Sequence, residues 1–379
     1  MTAIAPGATI GVLGGGQLGK MLALEAVRMG YRVRVLDPDP ACPAAGLAEV
    51  ELGAWSDPEA AVRLARQCDV VTLETEHVPA TVLREVEKVQ KLRPSAHILE
   101  TIQDRLNQRQ FLQAHMLPQT QWQPVANQLE LEKAVEILGV PAILKRRHGG
   151  YDGRAQVRIL NPIDVENALQ TLGNAPCVLE AFVHFSAELS VVLARSQHGE
   201  ICYYETAENV HHGGVLHTTV APARLPHHVR TQAREIATSA AHALDITGIL
   251  TVEFFLLPDQ TLLINEMAPR VHNSGHFTFG ACVTSQFEQH LRAVCGLPLG
   301  TPNQHHPAAM LNLLGDLWVN GPPDFLPVLA EPRAHLHLYG KRVPGPGRKM
   351  GHITVLADEA GEALAVAERL YRQLLPKVP

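Results

Sequence analysis

At 379 residues the chain is longer than one typical domain, so two or three domains are expected, with ample sequence for a large core. An apolar share of 46% is that of a folded protein, and a net charge of -6 without a long basic block excludes a nucleic-acid binder that works by neutralising phosphates. The six cysteines, Cys42, Cys68, Cys177, Cys202, Cys282 and Cys295, include no Cys-x-x-Cys, which argues against a zinc site or a disulfide framework and fits a reduced cytoplasm.

Met1 to Gly7 lacks the basic and apolar regions of a secretion signal, and no apolar run reaches membrane-spanning length. Ala8–Leu13 reads as a strand, Gly14–Gly19 as a tight loop, Gln17–Met29 as a helix closed by Gly30, and Tyr31–Leu36 as a second strand, a βαβ unit. Ser56-Asp57-Pro58-Glu59 has the pattern of a capping box, and Asp69–Leu73 returns as a strand. Residues 1–100 are therefore expected to form a Rossmann-like parallel α/β domain, with a boundary near Pro94-Ser95. Beyond it, Val140–Lys145, Cys177–Glu180, Glu188–Ala194 and Ile201–Glu205 read as strands and Arg230–Leu244 as a helix. This irregular mixture predicts an α+β domain over 101–300 and, after it, a small β-rich domain over 301–379. The adjacent pairs His211-His212, His227-His228 and His305-His306 diverge on either helix or strand, so they read as surface or capping groups.

One hairpin carries a chemical signal. Thr251–Leu257 reads as a buried strand and Thr261–Glu266 as its return. With Asp259-Gln260 as a two-residue loop, Glu253 lies directly across from Glu266, their Cβ atoms roughly 5 Å apart. Bare like charges repel there, and a hard cation with oxygen ligands, most simply Mg2+ carrying substrate phosphates, turns that repulsion into binding. The alternatives are an Arg or Lys partner for one Glu, or a longer turn and another register, because Asp-Gln is a weak hairpin dipeptide.

Gly14-x-Gly16-x-x-Gly19 with Asp37 matches the dinucleotide fingerprint and, taken alone, points to an NAD-dependent oxidoreductase. The same backbone suits any phosphate, including that of a ribonucleotide, and Asp37-Pro38-Asp39-Pro40 equally well makes a turn. A second loop carries Lys145, Arg146, Arg147, Tyr151, Asp152 and Arg154 without a Gly-Lys-Ser/Thr ending, so Lys145 arriving from a strand supplies the phosphate charge. Such a loop can close over a triphosphate and exclude water; the plain alternative is a solvated basic loop. Asn265 to His276 gathers a carboxylate, a guanidinium and an imidazole beside the hairpin, and Lys341, Arg348 and Lys349 on turn-rich backbone suggest an anion clamp.

GGGQLG, KRRHGGYDGR from Lys145 to Arg154, NEMAPRVHNSGH from Asn265 to His276 and PGRKMGH from Pro346 to His352 resemble, in order along nearly the whole chain, the ATP-grasp N5-carboxyaminoimidazole ribonucleotide synthetases of purine biosynthesis. The resemblance implies a three-domain, homodimeric enzyme whose central ATP-grasp domain includes a mobile lid at about 140–210. It would use ATP, Mg2+ (or Mn2+) and bicarbonate to carboxylate the amino group of 5-aminoimidazole ribonucleotide, with neither nucleic acid nor membrane as partner. It implies that Arg105 and Lys145 contact ATP phosphates and that Gly150, Tyr151, Asp152, Gly153, Arg154, Ala155 and Gln156 cover them. Backbone at Glu180, Ala181, Phe182 and Val183 would meet adenine, Glu188 the ribose, and His211 and Asn265 would line the nucleotide site, with Glu253 and Glu266 on the metal. Gln17, Leu18, Glu76, Asn273, Lys341, Arg348 and Lys349 would surround the ribonucleotide. Tyr151, Asp152, Arg154, Arg270 and His272 would lie near the reacting atoms, Arg270 positioning bicarbonate and His272 handling the amine proton. Two departures stand out: Ala155 replaces a loop glycine, and Ala268 stands where many members of the wider superfamily carry an Asn metal ligand. The nearest rival is a sister ligase such as the formate-dependent glycinamide ribonucleotide transformylase.

Overall fold

The computed structural model describes residues 3–150 and 155–376. Its strands fall into three sheets that follow chain order. The first is parallel: β1 (Thr9–Leu13), β2 (Arg32–Asp37), β3 (Glu49–Leu52) and β4 (Val70–Leu73), in the order β3-β2-β1-β4. Every residue of β1 and β4 is buried, as expected when helices cover both faces. The helix following β3 starts at Pro58 and is capped by Asp57, whose carboxylate accepts from the Glu59 and Ala60 amides at 2.9 and 3.2 Å. The cap thus sits one residue later than the Ser56 box predicts, because Pro58 fits the first helical position and leaves Asp57 as the flanking residue.

A small antiparallel sheet follows, with β5 (Trp122–Val125), β6 (Ala142–Arg146), β7 (Gln156–Ile159) and β8 (Cys177–Ala181) in the order β5-β8-β6-β7. The basic loop joins its strands β6 and β7. The third sheet has nine strands: β9 (Ala187–Arg195), β10 (Ile201–Tyr203), β11 (Ala207–His212), β12 (Val215–Ala221), β13 (Gly248–Leu256), β14 (Leu262–Ala268), β15 (Ala308–Leu314), β16 (Ala334–Leu338) and β17 (Lys349–Leu356). Its order is β14-β13-β9-β11-β12-β15-β17-β16, with β10 on β9. The strands after residue 300 extend this sheet through the β12–β15 pairing, so that β14 of the hairpin and β16 are its two edges.

Helix His227–Leu244 buries Val229, Ala233, Ala237, Ala240 and Leu244 against β9, β13 and β14, a spacing of three and four residues that gives one apolar face. Helix Gln286–Cys295 lies between the first and third sheets. Its His290 is fully buried: Nδ1 accepts from the Ile249 amide at 3.1 Å and Nε2 donates to Thr72 Oγ1 at 2.7 Å, tying β13 to β4.

Candidate active site

The hairpin reaches the expected pairing by a different route. Its loop has three residues, Pro258 to Gln260, with Gln260 left-handed at φ 69° and Leu257 N–H donating to Thr261 O at 2.9 Å. That loop pairs Phe254 with Ile264, one residue out of the predicted register; a bulge at Asn265 then restores Glu253 opposite Glu266. The bulge is held from behind by the Arg109 guanidinium, which donates to the carbonyls of Ile264 (3.2 Å) and Asn265 (2.9 Å).

Glu253 is half-buried, with 13% of its side chain exposed, and its buried Oε1 atom has no hydrogen-bond partner among the described residues. Burial and then the neighbouring Glu266 push its carboxyl up to about 8, against the pull of His211. An orphaned oxygen beside a second carboxylate is an excess of negative charge and of hard oxygen donors, which fits a divalent cation such as Mg2+. Among the described residues no group of three or more His, Cys, Asp or Glu side chains could hold a metal, and Ala268 offers no donor. A cation gripped by this pair would take its remaining ligands from substrate and water.

Lys145 on β6 is buried with Nζ 2.6 Å from Glu180 Oε2, and Glu180 Oε1 accepts from Arg109 Nε at 2.9 Å. Burial pushes the Glu180 carboxyl up, but Arg109 and Lys145 outweigh it and hold the group well below the usual carboxylate range. Arg105, at the start of helix Arg105–Ala114, comes within 3.9 Å of Glu266, and its buried Nε has no partner among the described residues. Asp104 caps that helix through the Leu106 amide (2.9 Å) and holds Arg147 of the basic loop (Nε 2.9 Å). Ala181 and Phe182 already spend their amides on Gln121 O and Pro141 O at 3.0 and 3.2 Å, and Val183 follows them into β9. Glu188 bonds His211 Nδ1 at 2.8 Å; burial pulls that imidazole down, yet Glu188 and Glu253 together raise it above its ordinary value.

A cleft of about 900 Å³ opens beside Glu266. Gln17, Leu18, Glu76, Arg270, His272 and Asn273 line it, together with Arg105, Gly150, Lys341, Arg348 and Lys349. Lys145, Glu180 to Val183, Glu188, His211, Glu253 and Asn265 lie outside its lining. Tyr151, Asp152, Gly153 and Arg154 fall outside the described residues. Ala155 sits at φ 69°, a left-handed conformation that disfavours a side chain, and Gln156 pairs with Lys145. Arg270 donates through Nε to Glu76 at 2.7 Å and through Nη1 to Val271 O at 3.0 Å. The Gln286 side chain clamps His272 by its backbone N–H (2.9 Å) and carbonyl (2.7 Å). Its Nδ1 accepts from the Ser274 amide at 3.3 Å, which leaves the proton on Nε2, 3.9 Å from Glu253 Oε1. Burial first and Arg270 second hold this ring neutral, well below the ordinary histidine value. Asn273 exchanges hydrogen bonds with Asn312 at 3.0 and 2.7 Å.

The glycine loop does not serve a dinucleotide. Its amides are taken internally: Gly15 donates to Asp37 Oδ2 at 2.9 Å, Gly16 to Glu74 Oε1 at 3.0 Å and Gly19 to Glu74 Oε2 at 2.9 Å. Asp37 also accepts from Asp39 N at 2.9 Å, so it is a turn residue, which corrects the oxidoreductase reading. The glycines make room for a carboxylate: a Cβ on Gly14 or Gly16 would meet Glu74 at 2.5 or 2.6 Å. What remains for a ligand is the start of helix Gln17–Arg28, which has no side-chain cap and presents Gln17 and Leu18 to the cleft.

Five histidines, the buried His276, His290 and His352 and the half-buried His272 and His337, are held neutral chiefly by loss of water around their rings: His272 and His352 well below the ordinary value, His276 at about 3, and His290 and His337 at about 4. Their lowered folded values mean stability is complete above the unfolded value of 6.5 and is lost as pH falls toward 4. His276 and His290 should each lose about 2 kcal/mol by about pH 5. Glu253 works oppositely, gaining stability as pH falls from about 8, but one carboxyl is outnumbered. Urea unfolding should therefore show a steep fall in stability below about pH 6; a flat profile to pH 4.5 would contradict neutral burial of these rings.

A basic β-loop-β over a large antiparallel sheet, with two carboxylates on a hairpin at the sheet's edge, defines a nucleotide-dependent ligase of the ATP-grasp class, and the comparisons agree. Residues 7–103 match the ribonucleotide synthetase preATP-grasp domain, 110–287 the ATP-grasp domain, and 308–366 the phosphoribosylaminoimidazole carboxylase C-terminal domain. The N5-carboxyaminoimidazole ribonucleotide synthase of Brucella melitensis is 44% identical over 93% of this chain and 97% of its own length. A crystal structure of an N5-carboxyaminoimidazole ribonucleotide synthetase bound to ADP superposes with a TM-score of 0.92 at 40% identity, covering 98% of each chain. An Aspergillus clavatus N5-carboxyaminoimidazole synthase solved with ADP and 5-aminoimidazole ribonucleotide gives 0.90 at 36% identity over 97% of this chain and 98% of that one. The chain belongs to the N5-carboxyaminoimidazole ribonucleotide synthase family.

Proposed function

We propose that the chain uses ATP to carboxylate the amino group of 5-aminoimidazole ribonucleotide with bicarbonate, giving the N5-carboxylated ribonucleotide, ADP and phosphate. The observation that carries this reading is Glu266, set opposite Glu253 across the hairpin, lining the same cleft as Arg270 and His272. A bicarbonate oxygen attacks the γ-phosphorus, the bond to ADP breaks, and carboxyphosphate forms; the ribonucleotide amine then attacks the carboxyl carbon, losing a proton as phosphate leaves. A divalent ion held by Glu253 and Glu266 would neutralise phosphate oxygens during the transfer. Lys145 and Arg105 supply fixed positive charge to the same oxygens. Arg270, braced by Glu76, is suited to orient bicarbonate through its remaining donors. His272, neutral with its proton on Nε2, is suited to donate to a carboxyl oxygen, and the loop of Tyr151, Asp152 and Arg154 to exclude water from carboxyphosphate.

The cations Lys341, Arg348 and Lys349, together with Gln17 and Leu18, support a site for the ribonucleotide phosphate, with Asn273 beside it. Glu180 to Val183, Glu188, His211 and Asn265 support the nucleoside end of ATP. We further read the chain as a cytoplasmic homodimer divided at about 1–100, 101–300 and 301–379. Six cysteines with free thiols fit a reducing compartment, and no helix of the described residues is long and apolar enough to cross a membrane. Phosphate release from ATP is expected to require bicarbonate and to be stimulated by 5-aminoimidazole ribonucleotide. Stimulation by glycinamide ribonucleotide with formate instead would replace this reading with the sister ligase.

A further inference from the structure

Arg109 is the least exposed charged residue of the site, with 1% of its side chain accessible against 4% for Glu180 and 9% for Lys145. Its Nε bonds Glu180 while its Nη atoms bond the two carbonyls flanking the Asn265 bulge, so one guanidinium spans the small sheet and the strand that carries Glu266. The three side chains Arg109, Glu180 and Lys145 carry one net positive charge. Without Arg109, Lys145 and Glu180 would form a closed neutral pair in a buried setting where ion pairs are slow to give up their partner.

We propose that Arg109 is a positioning residue for nucleotide phosphate: by saturating Glu180 it leaves the Lys145 charge available to ATP, and by holding the bulge it sets Glu266 opposite Glu253. The inference rests on the nucleotide reading above. ADP affinity, measured by calorimetry with Mg2+ on the full chain, tests it without relying on turnover. Arg109→Met should weaken ADP by at least about 10-fold, because the phosphate must compete with Glu180 for Lys145. Arg109→Lys should recover most of the loss by restoring the charge. The double variant R109Q/E180Q, which returns the group to one net positive charge and keeps a donor for the two bulge carbonyls, should bind within about 3-fold of the unaltered chain. A merely structural Arg109 would not be rescued by a second substitution in its own partner. If Arg109→Met does not fold, Arg109→Gln, which can still donate to the two carbonyls, carries the same comparison. Unaltered ADP affinity in Arg109→Met, or a double variant no better than the single one, would overturn the proposal. Failure of the unaltered chain to bind ADP would instead overturn the nucleotide reading.

Discussion

Glu266→Gln is expected to lower carboxylation by at least about 100-fold while raising the melting temperature of the ligand-free protein. Both effects come from one charge. Burial and the facing Glu266 disfavour the ionised form of Glu253 and push its carboxyl up to about 8. A carboxyl raised in the folded state contributes stability below its unfolded value of 4.5 and loses it as pH rises toward 8. Removing the Glu266 charge should therefore stabilise the protein by roughly 1–2 kcal/mol near pH 8 and by little near pH 5. Adding Mg2+ with ADP should raise the melting temperature of the native chain more than that of the variant. Thermal unfolding at the two pH values, beside a product assay, checks both signs. A variant that is less stable at pH 8, or as active as its parent, would show that Glu266 has another partner.

Replacement of His272 separates two roles that the same residue could play. As a neutral donor through Nε2, its loss in His272→Ala should lower product formation by about 100- to 1000-fold, the range seen when one oxyanion donor is deleted. His272→Gln places an amide donor near the Nε2 position and should return about 10-fold of that loss. Bicarbonate-dependent ATP hydrolysis should fall less than product formation in both variants, because the carboxyl oxygen gains its charge when the amine attacks, after phosphoryl transfer. If Gln is as inactive as Ala, the ring accepts a proton rather than donating one, and the Nδ1 contact to Ser274 must break during turnover.

The parallel βαβ start and the glutamate hairpin were legible because period-two and strand-loop-helix patterns are local. The Glu253–Glu266 pairing came out right through two offsetting departures: a three-residue loop in place of two, and a bulge at Asn265. Loop length alone could not reveal the bulge, since Arg109, which holds its carbonyls, lies more than a hundred residues away in sequence. Distance hid Glu74 for the same reason. The glycine fingerprint records how closely something approaches the backbone, and only the fold shows that a carboxylate from β4 arrives where a dinucleotide phosphate would. Arg109 and Asp104 belong to no sequence motif, and only packing sets them against Glu180 and Arg147. Motif density served better where many polar groups share a short segment, as from Arg270 to Asn273, because a buried strand end rarely tolerates them without a ligand.

The most direct measurement is a crystal structure with ADP and Mn2+, located by its anomalous scattering. The account predicts a manganese within about 2.2 Å of a carboxylate oxygen of both Glu253 and Glu266, with phosphate oxygens completing its shell. Manganese bound to neither glutamate, or to one with the other turned to a protein cation, would contradict it.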